Sequence, residues 1–462
     1  MTPWVRALIV SYAFPPVGGA GVQRVSKLTK YLPFHGVTPA VLTVKNPSVP
    51  LTDRSLEQDI PGGIDILRAP TLEPGYGLKQ AAWNTAAAKS SGLAVRAKKW
   101  LLRFGRKLLA PDPQVLWLPG SAIALIRRLR SDAADDVIFI SGPPFSQFLL
   151  APLSRLRPGT ALVLDYRDEW TTQGSYELGS AGAGAWLEPA MLRFAHVITT
   201  ATEEFRSALL GRFAFLDPAR VFAIPNGYDP DDFPIGPSRP PSDHFVLTYV
   251  GTVFHLTSAR GFIAGLRQLQ ARNPELARGL EVRFIGRVVE TEQVYFEGTE
   301  ELGVRRQGYL EHREALAALQ ASHATLCLLD DVVGTDRIYP AKIFELMYLQ
   351  KPCLAITPTG ALSRLVQLHG LGEVVHPADT EGIVNALARL LRAFRLDGVA
   401  TQSQSLLPTL GINQFHRKAQ AGQFAEVFRT AIALARAKPP QATAAQAAPS
   451  GNGRSALEKL SQ

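Results

Sequence analysis

The sequence predicts an α/β protein of two domains, each a parallel sheet flanked by helices, and three observations predict it. Short apolar runs that read as buried strands alternate with longer segments of helical period along most of the chain, the pattern of βαβ units. A chain of 462 residues with 46% hydrophobic content can fill two cores, because single domains commonly stop at about 100–200 residues. Midway, PNGYDPDDFPIGPSRPPSD is dense in Pro, Gly and Asp, a connector composition. The expected division is a first domain over 1–225, a linker over 226–244, a second domain over 245–395, C-terminal helices over 396–436 and a disordered tail over 437–462. The tail, with PPQATAAQAAPSGNG, has too little apolar surface to order itself.

Composition excludes several classes. The two cysteines, Cys327 and Cys353, each lie in an apolar run, so they read as buried thiols and support neither a disulfide framework nor a zinc site. The nine histidines show no H-x-x-x-H grouping, so no metal site is expected. The opening MTPWVRALIVSYAFPP is broken by Arg6 and stopped by Pro15 and Pro16; it reads as a core strand rather than a secretory signal. No stretch offers the ~20 apolar residues of a spanning helix, and a cytoplasmic location is expected. The net charge of +9 invites an anionic partner: nucleotide, nucleic acid or membrane surface.

Taken in order, Val5 to Tyr12 and Val37 to Val44 read as strands, with a helix from about Gly21 to Leu32 between them. The loop before that helix holds Gly18, Gly19 and Gly21, which permit close backbone approach to a ligand at a helix N-terminus. Arg24 and Lys45 stand where a dinucleotide fingerprint wants a glycine and an acid, which argues against NAD. From Pro74 to Pro111 there is no acidic residue. Within it, RAKKWLLRFGRKLLAP places Trp100 and Phe104 on one side of a helix flanked by Lys99, Arg103, Arg106 and Lys107. Such a helix suits an anionic membrane surface, although packing on its own domain explains it too; no recognised nucleic-acid module surrounds it. Two further strands, Val137 to Ser141 and Ala161 to Asp165, run into GPPFS and YRDEW. Both loops should surface at one sheet edge, with Arg167 and Asp168 as candidate cleft groups or as a structural pair fixing the loop. His196 to Thr200 and Val221 to Ile224 complete the first sheet.

In the second half, Phe245 to Gly251 opens a strand whose loop begins Gly251, Thr252 and leads to Arg260. Glu281 to Ile285 and Ala324 to Leu329 follow as strands. After the latter comes RIYPAKIFELMYLQKP, residues 337–352, where Pro340 offers a favourable first helical residue. A cation, Lys342, and a carboxylate, Glu345, stand three residues apart at that helix entrance. They suit a ligand with phosphates at one end and hydroxyls at the other, although an ordinary i,i+3 ion pair is the plainer reading. Near Thr357, Gly360 again stands at a strand end before a helix.

This last segment resembles the donor-binding motif of retaining glycosyltransferases of family 4, which have the two-Rossmann-domain GT-B architecture. The opening FPPVGGAGVQR resembles a subgroup signature, FPP-x-GG-x-G-x-QR, and SGPPFS, DYRDEW and the N-G-x-D-x-x-x-F connector resemble others. The resemblance implies two Rossmann-like domains facing across a cleft, with Ile412 to Ala435 crossing back onto the first. It implies transfer of a hexosyl group from a UDP- or GDP-sugar to an acceptor hydroxyl with retention, no bound metal and no further cofactor. Glu345 matches the glutamate that holds ribose, whereas Arg337 stands where the motif has its first glutamate. Gly18 and Gly19 fall under the donor diphosphate, and Lys342, Tyr339, Pro340, Gly251, Thr252, Arg260 and Gly360 on the donor side. The family's histidine near the second loop is missing here. Asp229-Pro230-Asp231 matches the connector, so turn chemistry explains it better than a metal-binding D-x-D. The acceptor expected is a lipid-linked or polysaccharide intermediate at the inner face of the cell membrane. A GT-B nucleotide-sugar epimerase and a non-catalytic GT-B-like scaffold remain as alternatives.

Overall fold

The computed structural model describes residues 4–79, 109–132, 135–171, 181–236, 239–397 and 411–437. The first domain is built on seven parallel strands, β1 (Val5–Val10), β2 (Val37–Val44), β3 (Asp65–Ala69), β4 (Val137–Gly142), β5 (Ala161–Tyr166), β6 (Val197–Thr200) and β7 (Val221–Ala223), in the order β3-β2-β1-β4-β5-β6-β7. The second has six parallel strands, β8 (Phe245–Val250), β9 (Leu280–Ile285), β10 (Val304–Gln307), β11 (Ala324–Leu328), β12 (Cys353–Ile356) and β13 (Gly372–Val375), in the order β10-β9-β8-β11-β12-β13. The central strands β4 and β5 are buried along their whole length, as expected of parallel strands covered on both faces. Strand order reverses between β1 and β4 and again between β8 and β11. In open parallel sheets the crevice at such a reversal, outside the carboxyl ends of the strands, receives ligands.

Helices fill the crossovers: α1 (Ala20–Tyr31), α2 (Leu118–Arg130), α3 (Ala181–Leu192) and α4 (Glu203–Arg212) in the first domain, and α5 (Arg260–Arg272), α6 (Pro274–Ala277), α7 (His312–Gln320), α8 (Ile343–Leu349), α9 (Ala361–Leu368) and α10 (Thr380–Asp397) in the second. The last helix, α11 (Arg417–Arg436), leaves the second domain and buries Ala421, Phe424, Phe428 and Ala431 in the core of the first, with Ile9, Val25, Phe139 and Val163. Phe424 meets Phe139 edge-on at 5.4 Å. Where α11 begins, the connector pairs with it: Tyr228 N–H donates to the Phe415 carbonyl at 3.0 Å and Arg417 N–H to the Tyr228 carbonyl at 2.9 Å. A Cβ on Gly227 would fall 1.9 Å from the Phe415 oxygen, so this approach needs glycine.

The charged face of α1 lies under the connector and α11 rather than in water. Arg24 makes a paired contact with Asp165, at 2.8 and 3.0 Å, and lies over the Phe424 ring. Lys27 is buried against Asp59 and Asp229, at 2.7 and 2.8 Å, and against Asp232. The basic segment with Lys99, Trp100, Arg103, Phe104, Arg106 and Lys107 lies outside the described residues. Among the described residues, no helix is long and apolar enough to cross a membrane.

Candidate active site in the interdomain cleft

The first domain contributes two loops. Gly19 caps α1 with φ 101°, and a Cβ there would meet nothing within 4 Å; glycine is required by the backbone, and open space lies before the helix. A Cβ on Gly18 would meet Tyr309 Oη at 3.3 Å and Asp53 at 3.4 Å, so Gly18 abuts the second domain. The loop after β5 carries Arg167, Asp168 and Glu169. Arg167 donates to the Gly21 and Pro143 carbonyls and, at 3.4 Å, to that of Gly142. Its guanidinium thereby ties α1 and the loops after β4 and β5 together. Asp168 is solvent-accessible and, among the described residues, has no hydrogen-bond partner. Desolvation by its surroundings pushes its carboxyl upward, against the pull of Arg167.

The second domain contributes the loops after β8, β11 and β12. Helix α8 starts at Ile343, three residues later than expected from Pro340: the N–H of Ile343 returns to the Pro340 carbonyl at 3.0 Å, and Lys342 occupies the N-cap. Charge at this point therefore comes from the ammonium more than from a two-turn helix. Lys342 Nζ lies 2.8 Å from Glu345 Oε2, so the i,i+3 pair is present. Its face is not solvated, since Glu345 is only 3% exposed. Burial alone would raise the Glu345 pKa, but Lys342 and His312 outweigh it and hold the carboxyl at about 2. Tyr339, half-buried, packs edge-on against Phe344 at 5.7 Å, and burial pushes its hydroxyl up to about 12. Pro340 is partly exposed beside it. Gly251 has φ 157°; the Thr252 carbonyl accepts from Tyr249 Oη at 3.0 Å and Thr257 Oγ1 at 2.6 Å. Arg260 opens α5 with its side chain 62% exposed and a loose 3.4 Å pair to Asp330. Gly360 caps α9, where a Cβ would come within 2.4 Å of the Asp336 carbonyl.

Two sets of bridges join the halves. On one flank, Tyr309 Oη donates to Asp53 at 3.1 Å, and His312 Nε2 lies 3.0 Å from both Glu345 Oε1 and the Gln23 amide. A continuous path thus runs from α1, below the glycine pair, to Lys342. On the other flank, Arg337 grips Glu169 with two hydrogen bonds of 2.7 and 2.9 Å, Thr202 Oγ1 donates to the Arg337 carbonyl at 2.5 Å, and Arg364 pairs with Glu204 at 2.5 Å. His312 and Glu169 escape sequence reasoning: a lone histidine at a helix start and one acid in YRDEW carry no spacing that announces a partner.

Asp59, Asp229 and Asp232 come close enough to hold a cation, but the Lys27 ammonium already occupies their midst. Asp229 also accepts from Asp231 N–H at 3.1 Å, the turn chemistry expected of D-P-D. The folded-state pKa of Glu345, about 2, lies below its ordinary 4.5, and Asp229 is likewise depressed because Lys27 overcomes its burial. Both contribute stability that is present above the ordinary carboxylate range and lost as pH falls through it. The melting temperature should therefore drop from about pH 5 down to about pH 2, where the folded-state carboxyl protonates, and Glu345→Gln should shrink that drop.

Comparison with known proteins accords with this geometry. Residues 19–227, the span of the first sheet beyond β1, match the family model described as Glycosyl transferase 4-like domain. No curated protein sequence matches the chain. Among solved structures, HepE from Anabaena, in complex with UDP and glucose, superposes with a TM-score of 0.61 at 15% identity, covering 92% of this chain and 100% of that one. The catalytic domain of starch synthase IV from Arabidopsis thaliana, bound to ADP and acarbose, gives 0.60 at 14% identity, covering 94% and 100%. Sucrose-phosphate synthase from Thermosynechococcus elongatus gives 0.58 at 15% identity, covering 93% and 99%. Two facing parallel-sheet domains, a returning C-terminal helix and these superpositions together give the chain the GT-B fold of glycosyltransferases.

Proposed function

We propose that the protein is a retaining, family 4-type glycosyltransferase that moves a hexosyl group from a UDP- or GDP-sugar to an acceptor hydroxyl. The observation that carries this reading is the Lys342–Glu345 pair, set at the carboxyl edge of the second sheet and connected through His312 to the helix below Gly18 and Gly19. In the reaction the bond from the sugar's anomeric carbon to the diphosphate oxygen breaks, its electron pair leaving with the diphosphate. The acceptor oxygen bonds to that carbon on the same face, and its proton passes to the departing phosphate. Lys342 stabilises the growing phosphate charge, with Arg260 free to swing in from its loose pair. Such fixed charges are most effective in a water-poor cleft. Glu345 accepts from ribose hydroxyls, the glycine pair lets backbone approach the donor, and Gly251, Thr252, Tyr339, Pro340 and Gly360 shape the donor side. Asp168 receives the acceptor hydroxyl, with Arg167 fixing its loop. These side chains supply the charge without a metal or a further cofactor.

The acceptor in this reading is a lipid-linked or glycan intermediate, and the segment around Trp100 and Phe104 docks on anionic lipid. Co-sedimentation with anionic liposomes should be seen at low salt and fade as salt rises; no binding at low salt would remove the membrane part. Arg337, in the place of the first motif glutamate, favours a second reading as a non-catalytic scaffold, and a nucleotide-sugar epimerase of the same fold is the other alternative. Incubation with a UDP-sugar alone separates these: a changed sugar without acceptor marks the epimerase, an unchanged one with turnover only on adding acceptor marks the transferase.

A further inference from the structure

One imidazole touches three parts of the molecule. His312 opens α7 and is buried. Its Nε2 lies 3.0 Å from Glu345 Oε1 in the second domain and 3.0 Å from the Gln23 amide in the first. Its Nδ1 faces Asp232 of the connector at 3.9 Å, and its backbone N–H donates to Asp53 of the first domain at 3.3 Å. Three residues earlier, Tyr309 also donates to Asp53 and abuts Gly18. The stretch 309–312 is thus fastened to the first domain at several points and to Glu345 through the ring.

Among the described residues, two side chains contact the Glu345 carboxylate within hydrogen-bond distance, Lys342 and His312. Lys342 stays with the second domain whatever the cleft does. The imidazole belongs to the second domain too, but it is shared: the Nε2 that meets Glu345 also meets the Gln23 amide of the first domain, while Asp53 holds the backbone N–H of the same residue. We infer that His312 is a positioning residue that sets the Glu345 carboxylate for the nucleotide only when the domains meet, so that donor binding and cleft closure are coupled through this ring. The inference rests on the nucleotide role given to Glu345 above. Coupling of this kind is reciprocal: whatever factor closure adds to nucleotide affinity, the nucleotide adds to closure, typically about 5–150-fold.

Isothermal titration with UDP, GDP and ADP, combined with solution scattering with and without nucleotide, tests the coupling. His312→Ala should weaken binding of the preferred nucleotide about tenfold or more and remove the nucleotide-driven fall in radius of gyration. His312→Gln, whose amide N–H can reach Glu345, should recover most of the affinity; a ring needed only for packing would not distinguish Gln from Ala. Gln23→Ala should weaken the wild type but add nothing to His312→Ala. If His312→Ala binds and compacts like the wild type, the inference is overturned while the nucleotide site stands. If the wild type binds none of the three nucleotides, both fall.

Discussion

Lys342→Ala is expected to lose about 10²–10³-fold in kcat, the usual cost of removing one fixed group that stabilises transition-state charge. The fold should survive, since Lys342 is a partly exposed N-cap without a side-chain capping bond. Its partner Glu345 keeps His312, and what is lost there is the depression of one carboxyl pKa. Lys342→Arg, which keeps the charge but spreads it over a broader planar group, should retain more activity than Lys342→Ala. Steady-state kinetics alongside thermal melting reads both quantities. Near-normal turnover in a folded Lys342→Ala protein would falsify the phosphate assignment, whatever else the cleft binds.

Arg337→Ala should shift the resting shape of the molecule. Glu169 is fully buried and its two oxygens both receive hydrogen bonds from the Arg337 guanidinium. Breaking a buried charged pair by truncating one member costs roughly 2–5 kcal/mol, and partial solvation of Arg337 places this case at the low end. The stranded carboxylate has a cheaper exit than unfolding, because its partner is on the other domain and swinging the cleft open returns it to water. Even ~2 kcal/mol is more than tenfold in the open-to-closed ratio. Solution scattering should thus show a larger radius of gyration, with a melting temperature little changed. Pairing the change with Glu169→Gln, which removes the stranded charge, should bring the radius back toward the wild type. An unchanged radius in Arg337→Ala would mean that this contact does not hold the cleft.

How much of this was legible in the residues follows from what each signal measures. The strands read most clearly from sequence were the central ones, where burial on both faces leaves continuous apolar runs such as Val137 to Ser141. Three edge strands escaped. Val304–Gln307 reads VRRQ and is exposed after its first residue, Asp65–Ala69 is buried only at its last, and Gly372–Val375 is open at its start. An edge strand has one neighbour and a wet face, so it carries little of the apolar pattern that periodicity detects. Pro340 suits a first helical turn, yet it lies in a tighter turn before the helix, so α8 begins later than its sequence suggests. Lys342 and Glu345 are legible because their spacing is local. His312 and Glu169 are not legible because their partners are distant in sequence, Glu345 and Gln23 for one and Arg337 for the other. The same holds for Arg24 and Lys27, whose carboxylates come from β5, the connector and the segment before β3.

Thermal-shift measurement of the wild type against UDP, GDP and ADP, repeated on Lys342→Ala, bears most directly on the claim that the cleft cradles the diphosphate of an activated sugar. A ligand held at a hundred times its Kd stabilises the folded state by ~2.7 kcal/mol, ample to see. The expected result is a rise in melting temperature with at least one nucleotide that is largely lost in Lys342→Ala. No rise with any of the three, or an equal rise in both proteins, would contradict it.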